Sequence, residues 1–194
     1  MLQQVTLHGR HVRLEPLAQE HADELWPAAD EPGLWAHMMH DVHGREDLAA
    51  WVEARLRPVR EARALAFVQR DARTGEAFGS TSLFDIDLQH RRMEVGHTWV
   101  GRTHRRTAAN TEAKLLLLTH AFGRLDANRV QLKCDARNTR SAAAIARIGA
   151  TFEGRLRMQA VLPDGHVRDA LLFSIIRPEW PTVRARLEAR LSGA

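Results

Sequence analysis

The chain has 194 residues, 44% hydrophobic and 27% charged, which is enough apolar material for one well-buried core and suggests one domain over 1–194. Its 28 Lys and Arg against 24 Asp and Glu leave a net charge of +4, too modest without an aromatic-interleaved motif to mark a nucleic-acid binder. No run approaches the roughly 20 apolar residues that cross a bilayer, the opening MLQQVTLHGRHVRLEP lacks a signal-peptide centre, and the single cysteine, Cys134, excludes an internal disulfide, so a cytoplasmic location is expected.

The segment HVRLEPL alternates as a strand, and AQEHADELWPAAD and GREDLAAWVEARLRPVREAR then carry helical spacing, the second through Leu48, Val52 and Leu56. ALAFVQRD, AFGSTSLFDIDL and MEVGHTWVG follow as strands of an antiparallel meander, with turns at ARTGE and QHR. In the third of these, alternation at Met93 and Val95 changes phase towards Thr98 and Val100, which marks a bulge at Gly96. A helix is expected over Thr111–Leu125, and a strand at NRVQLKCDA puts Val130, Leu132 and Cys134 on one face. NTRSAAAIARIGA is a short helix with Asn138 as N-cap and Gly149 as C-cap. TFEGRLRMQAVL and VRDALLFSII close as a hairpin through PDGH, and residues 180–191 form a final amphipathic helix anchored by Trp180 and Leu187, a cover or a homodimer contact. This alternation predicts a mixed α+β fold with one right-handed crossover, which makes EVGHTWV and RVQLKCD parallel neighbours.

The join GRTHRRTAANTEA sets Arg102, His104, Arg105 and Arg106 against a helix start. Unpaired amides and the positive end of the helix dipole already gather there, so further cations are unfavourable unless an anion sits among them. The join therefore reads as an anion seat.

The element order, together with EVGHTWV, RRTAANTEA, RVQLKCDARNTRSAAAIARIGA, FEGRLR and DALLFSI, resembles the GNAT superfamily of acetyl-CoA-dependent N-acetyltransferases, in the branch of RimJ/RimL ribosomal-protein acetyltransferases. The resemblance runs from about Leu7 to the last strand and implies a mostly antiparallel seven-stranded sheet with helices on both faces. The family signature, Gln or Arg, two residues, Gly, one residue, Gly or Ala, falls on Arg105 to Asn110, with Ala108 and Asn110 in the two small-residue positions. On that likeness the amides of Arg106, Thr107, Ala108, Ala109, Asn110 and Thr111 wrap the pyrophosphate of coenzyme A, and Arg102, Arg105 and Arg106 add charge-assisted bonds. Trp99 and Val100, just before the loop, are expected at the thioester, with free N–H groups near Val100 polarising its carbonyl. Asn138 and Ser141 reach the pantetheine arm from the opposite side.

The resemblance implies transfer of the acetyl group to a primary amine, a small molecule or a protein N-terminus, by direct attack in a ternary complex. Glu94 is the preferred general base, with His97 and Glu153 as competitors. Many members of the superfamily protonate the leaving thiolate with a tyrosine; this chain has none, and Ser141, a water or Cys134 remain for that role. A thiol of pKa ~8.5 leaves as a thiolate with little penalty, and an α-amine of pKa ~8 needs less help from a base than a lysine. Trp35, Asp85, Asp87 and His97 are candidate acceptor contacts. His37, His40 and His43 read as bordering the acceptor cleft, and no metal is expected. Two other readings stay open: an acyl-CoA sensor without catalysis, and an RNA- or ribosome-associated basic protein.

Overall fold

The computed structural model describes residues 2–193. Strands β1 (Leu7–His8) and β2 (Val12–Pro16) lead into helices α1 (His21–Ala29) and α2 (Arg45–Arg60). β3 (Leu65–Asp71), β4 (Ala77–Asp87) and β5 (Arg92–Val100) then form the meander, and α3 (Ala108–Thr119) carries the chain across to β6 (Arg129–Asp135). α4 (Thr139–Ile148), β7 (Thr151–Val161), β8 (Val167–Ile176) and α5 (Trp180–Ser192) complete it. The sheet has eight strands in the order β1-β2-β3-β4-β5-β6-β8-β7, antiparallel throughout except at the expected β5/β6 pair. The eighth strand, absent from the sequence reading, is β1: its two residues pair with Leu14 and Arg13 and are too few to show a period.

Apolar side chains divide between the two faces. Against α3 and α5 lie Leu14, Phe67, Phe78, Met93, Val95, Leu117, Leu118, Val130, Leu132 and Ile175; against α1 and α2 lie Leu25, Leu48, Trp51, Val52, Val68 and Trp99. The central strands β3 and β4 are buried on both faces, so their sequences run nearly continuously apolar or small rather than alternating.

Helix α3 starts three residues earlier than expected, at Ala108, because Thr107 caps it: its Oγ1 accepts the amide of Ala109 at 3.3 Å. Regular winding ends at Thr119 and a wider π-type turn continues through His120–Arg124. Near its start, the buried Glu112 carboxylate accepts the backbone amides of Arg10, His11 and Val12 at 2.8, 2.5 and 2.8 Å, tying the entry of β2 to α3. Gly9 is needed there, since a Cβ would stand 2.4 Å from Glu112 Oε2. α5 lies over α3, with Trp180 stacked on Phe122 at 5.2 Å and Val183 and Leu187 buried.

Candidate active site

The parallel pairing of β5 with β6 lasts for three residue pairs, Arg92/Arg129, Met93/Val130 and Glu94/Gln131, and then stops. β6 continues on β8 as far as Asp135, so the two strands part beyond Glu94 and leave a fork. The cause lies in β5, where Gly96 opposes Ser82 and Trp99 opposes Ser80, one residue more than β4 spends over the same span. His97 takes φ +50 inside this bulge. The expected bulge is present, and only Gly fits at 96, where a Cβ would meet the Phe84 ring at 2.9 Å.

A residue that the sequence reading passed over holds the bulge from beneath. Lys114, on α3, is buried and donates to Thr98 Oγ1 at 2.7 Å and Thr81 Oγ1 at 3.3 Å, while the two hydroxyls share a bond of 2.8 Å. Burial pushes its pKa down to about 7. The signal was present: Lys114 falls on the same stripe as Leu117, Leu118 and Ala121, where a cation needs a buried purpose.

Beyond the bulge, Gly101 N donates to Phe78 O at 2.8 Å, so by alternation Trp99 also bonds across to β4 while the polar groups of Val100 turn towards the fork. The Trp99 carbonyl also accepts Gln69 Nε2 at 3.2 Å, and its ring packs against Trp35 and Trp51 at 5.4 and 6.1 Å, so Trp99 is a core residue of the α1/α2 face. The Val100 carbonyl accepts Arg105 Nε at 3.0 Å.

The join itself is a short turn of 3-10 helix, Arg102–His104, followed by Arg105 and Arg106 and then the capped start of α3. Arg105, expected on phosphate, instead grips Glu31 with both guanidinium ends at 2.7 Å, fastening the loop to the segment after α1. Arg102 and Arg106 are exposed. The left-handed residue is Arg106, φ +61, so the alanine at 108 sits within the helix without strain. The Ala109 amide is taken by the Thr107 cap, which leaves those of Arg106, Thr107, Ala108 and Asn110 as the candidates to meet a ligand.

Across the fork, Asn138 caps α4 by accepting Ser141 N at 2.9 Å, and Gly149 ends that helix at φ +107. The buried thiol of Cys134 is pushed above its ordinary pKa by burial and stays protonated near neutrality.

Glu94 lies where the fork opens, 4% exposed. Its Oε2 receives Lys133 Nζ at 3.0 Å and Gln131 Nε2 at 2.9 Å. Burial nonetheless raises its pKa, outweighing the pull of Lys133. Its competitors are weaker bases: Glu153 is held down to about 2 by Arg129, with Ser174 adding a bond, and His97 is depressed to about 3, first by burial and then by the charges of Arg55, His40 and Lys133. Asp85 takes φ +49 and lines a small cavity of ≈ 60 Å³ with Glu94, Arg92, Arg129 and Gln131. Asp87 caps the turn at His90 N, 2.8 Å, and pairs with Arg92, which removes it from the cleft. Trp35 is buried, its Nε1 donating to Ala29 O at 3.1 Å. His37 Nδ1 lies 3.9 Å from Asp135 of β6 and His40 Nε2 lies 3.5 Å from Arg55 of α2, whereas His43 lies in solvent beside Asp41.

Residues 11–151 match the Acetyltransferase (GNAT) domain family. The chain belongs to this family of N-acetyltransferases. It is 31% identical to a candidate ribosomal N-acetyltransferase of Bacillus subtilis, YdaF, over 55% of this chain and 57% of that protein. It is 25% identical to the uncharacterized N-acetyltransferase p20 of Bacillus licheniformis over 90% of this chain and 98% of that one. A crystal structure of a GCN5-related N-acetyltransferase from Brucella melitensis superposes with a TM-score of 0.90 at 30% identity, covering 98% of this chain and 86% of the other.

Proposed function

We propose that the protein transfers an acetyl group from acetyl-CoA to a primary amine by direct attack with both substrates bound, a protein N-terminal α-amine being the leading acceptor. The observation that carries this reading is the fork: β5 and β6 separate beyond Glu94, at the bulge, and the separation ends beside the free first-turn amides of α3. The residues fit coenzyme A at three points. Arg102 and Arg106, with the amides of Arg106, Thr107, Ala108 and Asn110, meet the phosphates; the N–H of Val100 faces the thioester carbonyl; and the start of α4, with Ser141, borders the pantetheine arm. Acetyl-CoA supplies an acyl group already activated as a thioester.

The chain contributes position and one base. Glu94, deprotonated, takes a proton from the acceptor ammonium directly or through a water, so that the neutral amine attacks the thioester carbonyl and the CoA thiolate leaves, and the burial that raises its pKa makes it a stronger base than an exposed glutamate. Lys133 keeps the carboxylate oriented. Chain groups do little for the leaving sulfur, because Ser141 is a weak acid and the thiolate departs readily without one.

Release of free thiol from acetyl-CoA in the presence of peptide amines tests the proposal. Glu94→Gln is expected to lower kcat by about 10²-fold or more while the Kd for CoA stays within about twofold. The acid limb of kcat against pH lies above the ordinary glutamate range in the wild type and flattens in the variant, because only the deprotonated carboxylate works as a base. A variant with full turnover removes Glu94 from the mechanism, and absence of CoA binding to the wild type removes the reaction.

A further inference from the structure

Above the fork, on the α1/α2 face of the sheet, stands a group of nitrogen-bearing side chains whose bonding is incomplete. Arg55, on α2, is half-buried; its Nε is enclosed without a partner, its Nη2 lies 3.5 Å from His40 Nε2, and its guanidinium sits 5.5 Å over the Trp51 ring. Among the described residues no carboxylate offsets the burial that lowers its pKa. Other arginines of comparable or deeper burial have firm acceptors: Arg70 holds Glu15 and Glu24 at 2.6 Å, Arg105 holds Glu31, and Arg168, with no carboxylate, donates twice to Gln159 Oε1 at 3.1 and 2.8 Å. A half-buried guanidinium without an anion is costly to keep, and folded proteins retain such groups chiefly where something binds.

The neighbours do not fill the role. Lys133 is committed to Glu94 at 3.0 Å, and Asp135 to Arg137 at 3.0 Å, with His37 Nδ1 3.9 Å away from it. His97, on the bulge, has its Nδ1 enclosed and unpartnered, and it feels the charges of Arg55 and Lys133 together. His40 faces Arg55, and both histidines are held neutral by burial and by these cations. With the two ion pairs balanced, one positive charge remains, fixed on Trp51 and presented as a planar fork. A single planar anion matches it; a phosphate dianion would call for a second free cation.

We propose that this cluster of side chains is the acceptor subsite and that it binds a carboxylate carried by the amine substrate, paired with Arg55 and flanked by His40 and His97. The amine would point towards Glu94 and the carboxylate towards α2, a polarity that selects acidic acceptors over neutral ones. The proposal rests on the acetyl-transfer reading for the amine and on Arg55 alone for the carboxylate. The carboxylate has two possible sources, a free amino acid or an acidic residue close to a protein N-terminus.

The test runs matched acceptors in two arms: free alanine and glycine against their α-amides, and C-terminally amidated peptides beginning Ser-Glu or Ala-Asp against Ser-Gln or Ala-Asn. In one of the arms the acidic member is expected to exceed its neutral partner in kcat/KM by about tenfold or more, mainly through KM, and the arm that shows this identifies the source. Arg55→Met is expected to collapse the preference to within about twofold while retaining CoA affinity, and Arg55→Lys to restore part of it. Calorimetry with glutarate, which has no amine, reads the site without turnover: binding to the wild type and loss in Arg55→Met support it. Equal use of acidic and neutral amines, or a preference that survives Arg55→Met, overturns the proposal and leaves acetyl transfer standing. Turnover with no amine at all overturns the transfer reading, and the glutarate measurement then decides the site by itself.

Discussion

Lys114 shows what a single buried charge does to this protein. Its ammonium has hydroxyl partners only, Thr98 and Thr81, and burial lowers its pKa from 10.5 to about 7. Between those values the unfolded chain holds a proton that the folded one has released, so stability rises with pH through that window and is lowest at and below neutrality. The shift from 10.5 to about 7, at ~1.4 kcal/mol per pH unit, makes the span roughly 5 kcal/mol. Lys114→Met removes that penalty and forfeits two bonds of ~1 kcal/mol each, while Thr98 and Thr81 keep the bond to each other. The variant is expected to be more stable than the wild type at pH 7, with the gap closing or reversing by pH 10. Urea melts of both proteins at each pH check this, and a gap that does not change with pH would show that Lys114 is never neutral in the folded state.

At the scale of elements, the segment from β5 through the loop to α3 was the most legible part of the chain. The bulge at Gly96, the Asn138 cap and the Gly149 stop each follow from a local rule, and so does the parallel crossover, because local rules need only near neighbours. Contacts between distant residues were not legible. Nothing near Arg105 predicts Glu31, 74 positions away, as its partner, and basic residues at a helix start look alike whether they meet phosphate or a carboxylate. In the proposed acceptor subsite, His40 and His97 were expected near the acceptor but Arg55 was not, because the three come from separate elements and only the fold brings them together. Glu112 is another such tie, 100 to 102 residues from the amides that it accepts. Glu112→Gln keeps the shape but offers one neutral carbonyl oxygen to three donors, and a loss of about 2–3 kcal/mol is expected. Hydrogen exchange at Arg10, His11 and Val12 should quicken more than exchange in β3 and β4; uniform quickening would mean that the carboxylate acts on global stability alone.

The whole molecule separates support from chemistry across one sheet. α3 and α5 lie on one face, where α3 offers its first turn to the fork and α5 covers α3 and the end of α4; α1, α2 and the segment between them lie on the other, where the proposed acceptor side chains gather. Damage at α5 should therefore lower stability without altering the site. Leu187 is 1% exposed, and Leu187→Ala is expected to cost about 2–5 kcal/mol, a large part of a typical domain's stability. For a chain of this length that is a fall in Tm of roughly 5–20 °C. If the cover and the site are independent, the Kd for CoA and the kcat of the folded fraction stay within about twofold of the wild type at 15 °C. A matching loss of CoA affinity at a temperature where the variant is fully folded would instead show that the packing of α5 sets the position of the α3 N-terminus, and that the cover is part of the active site.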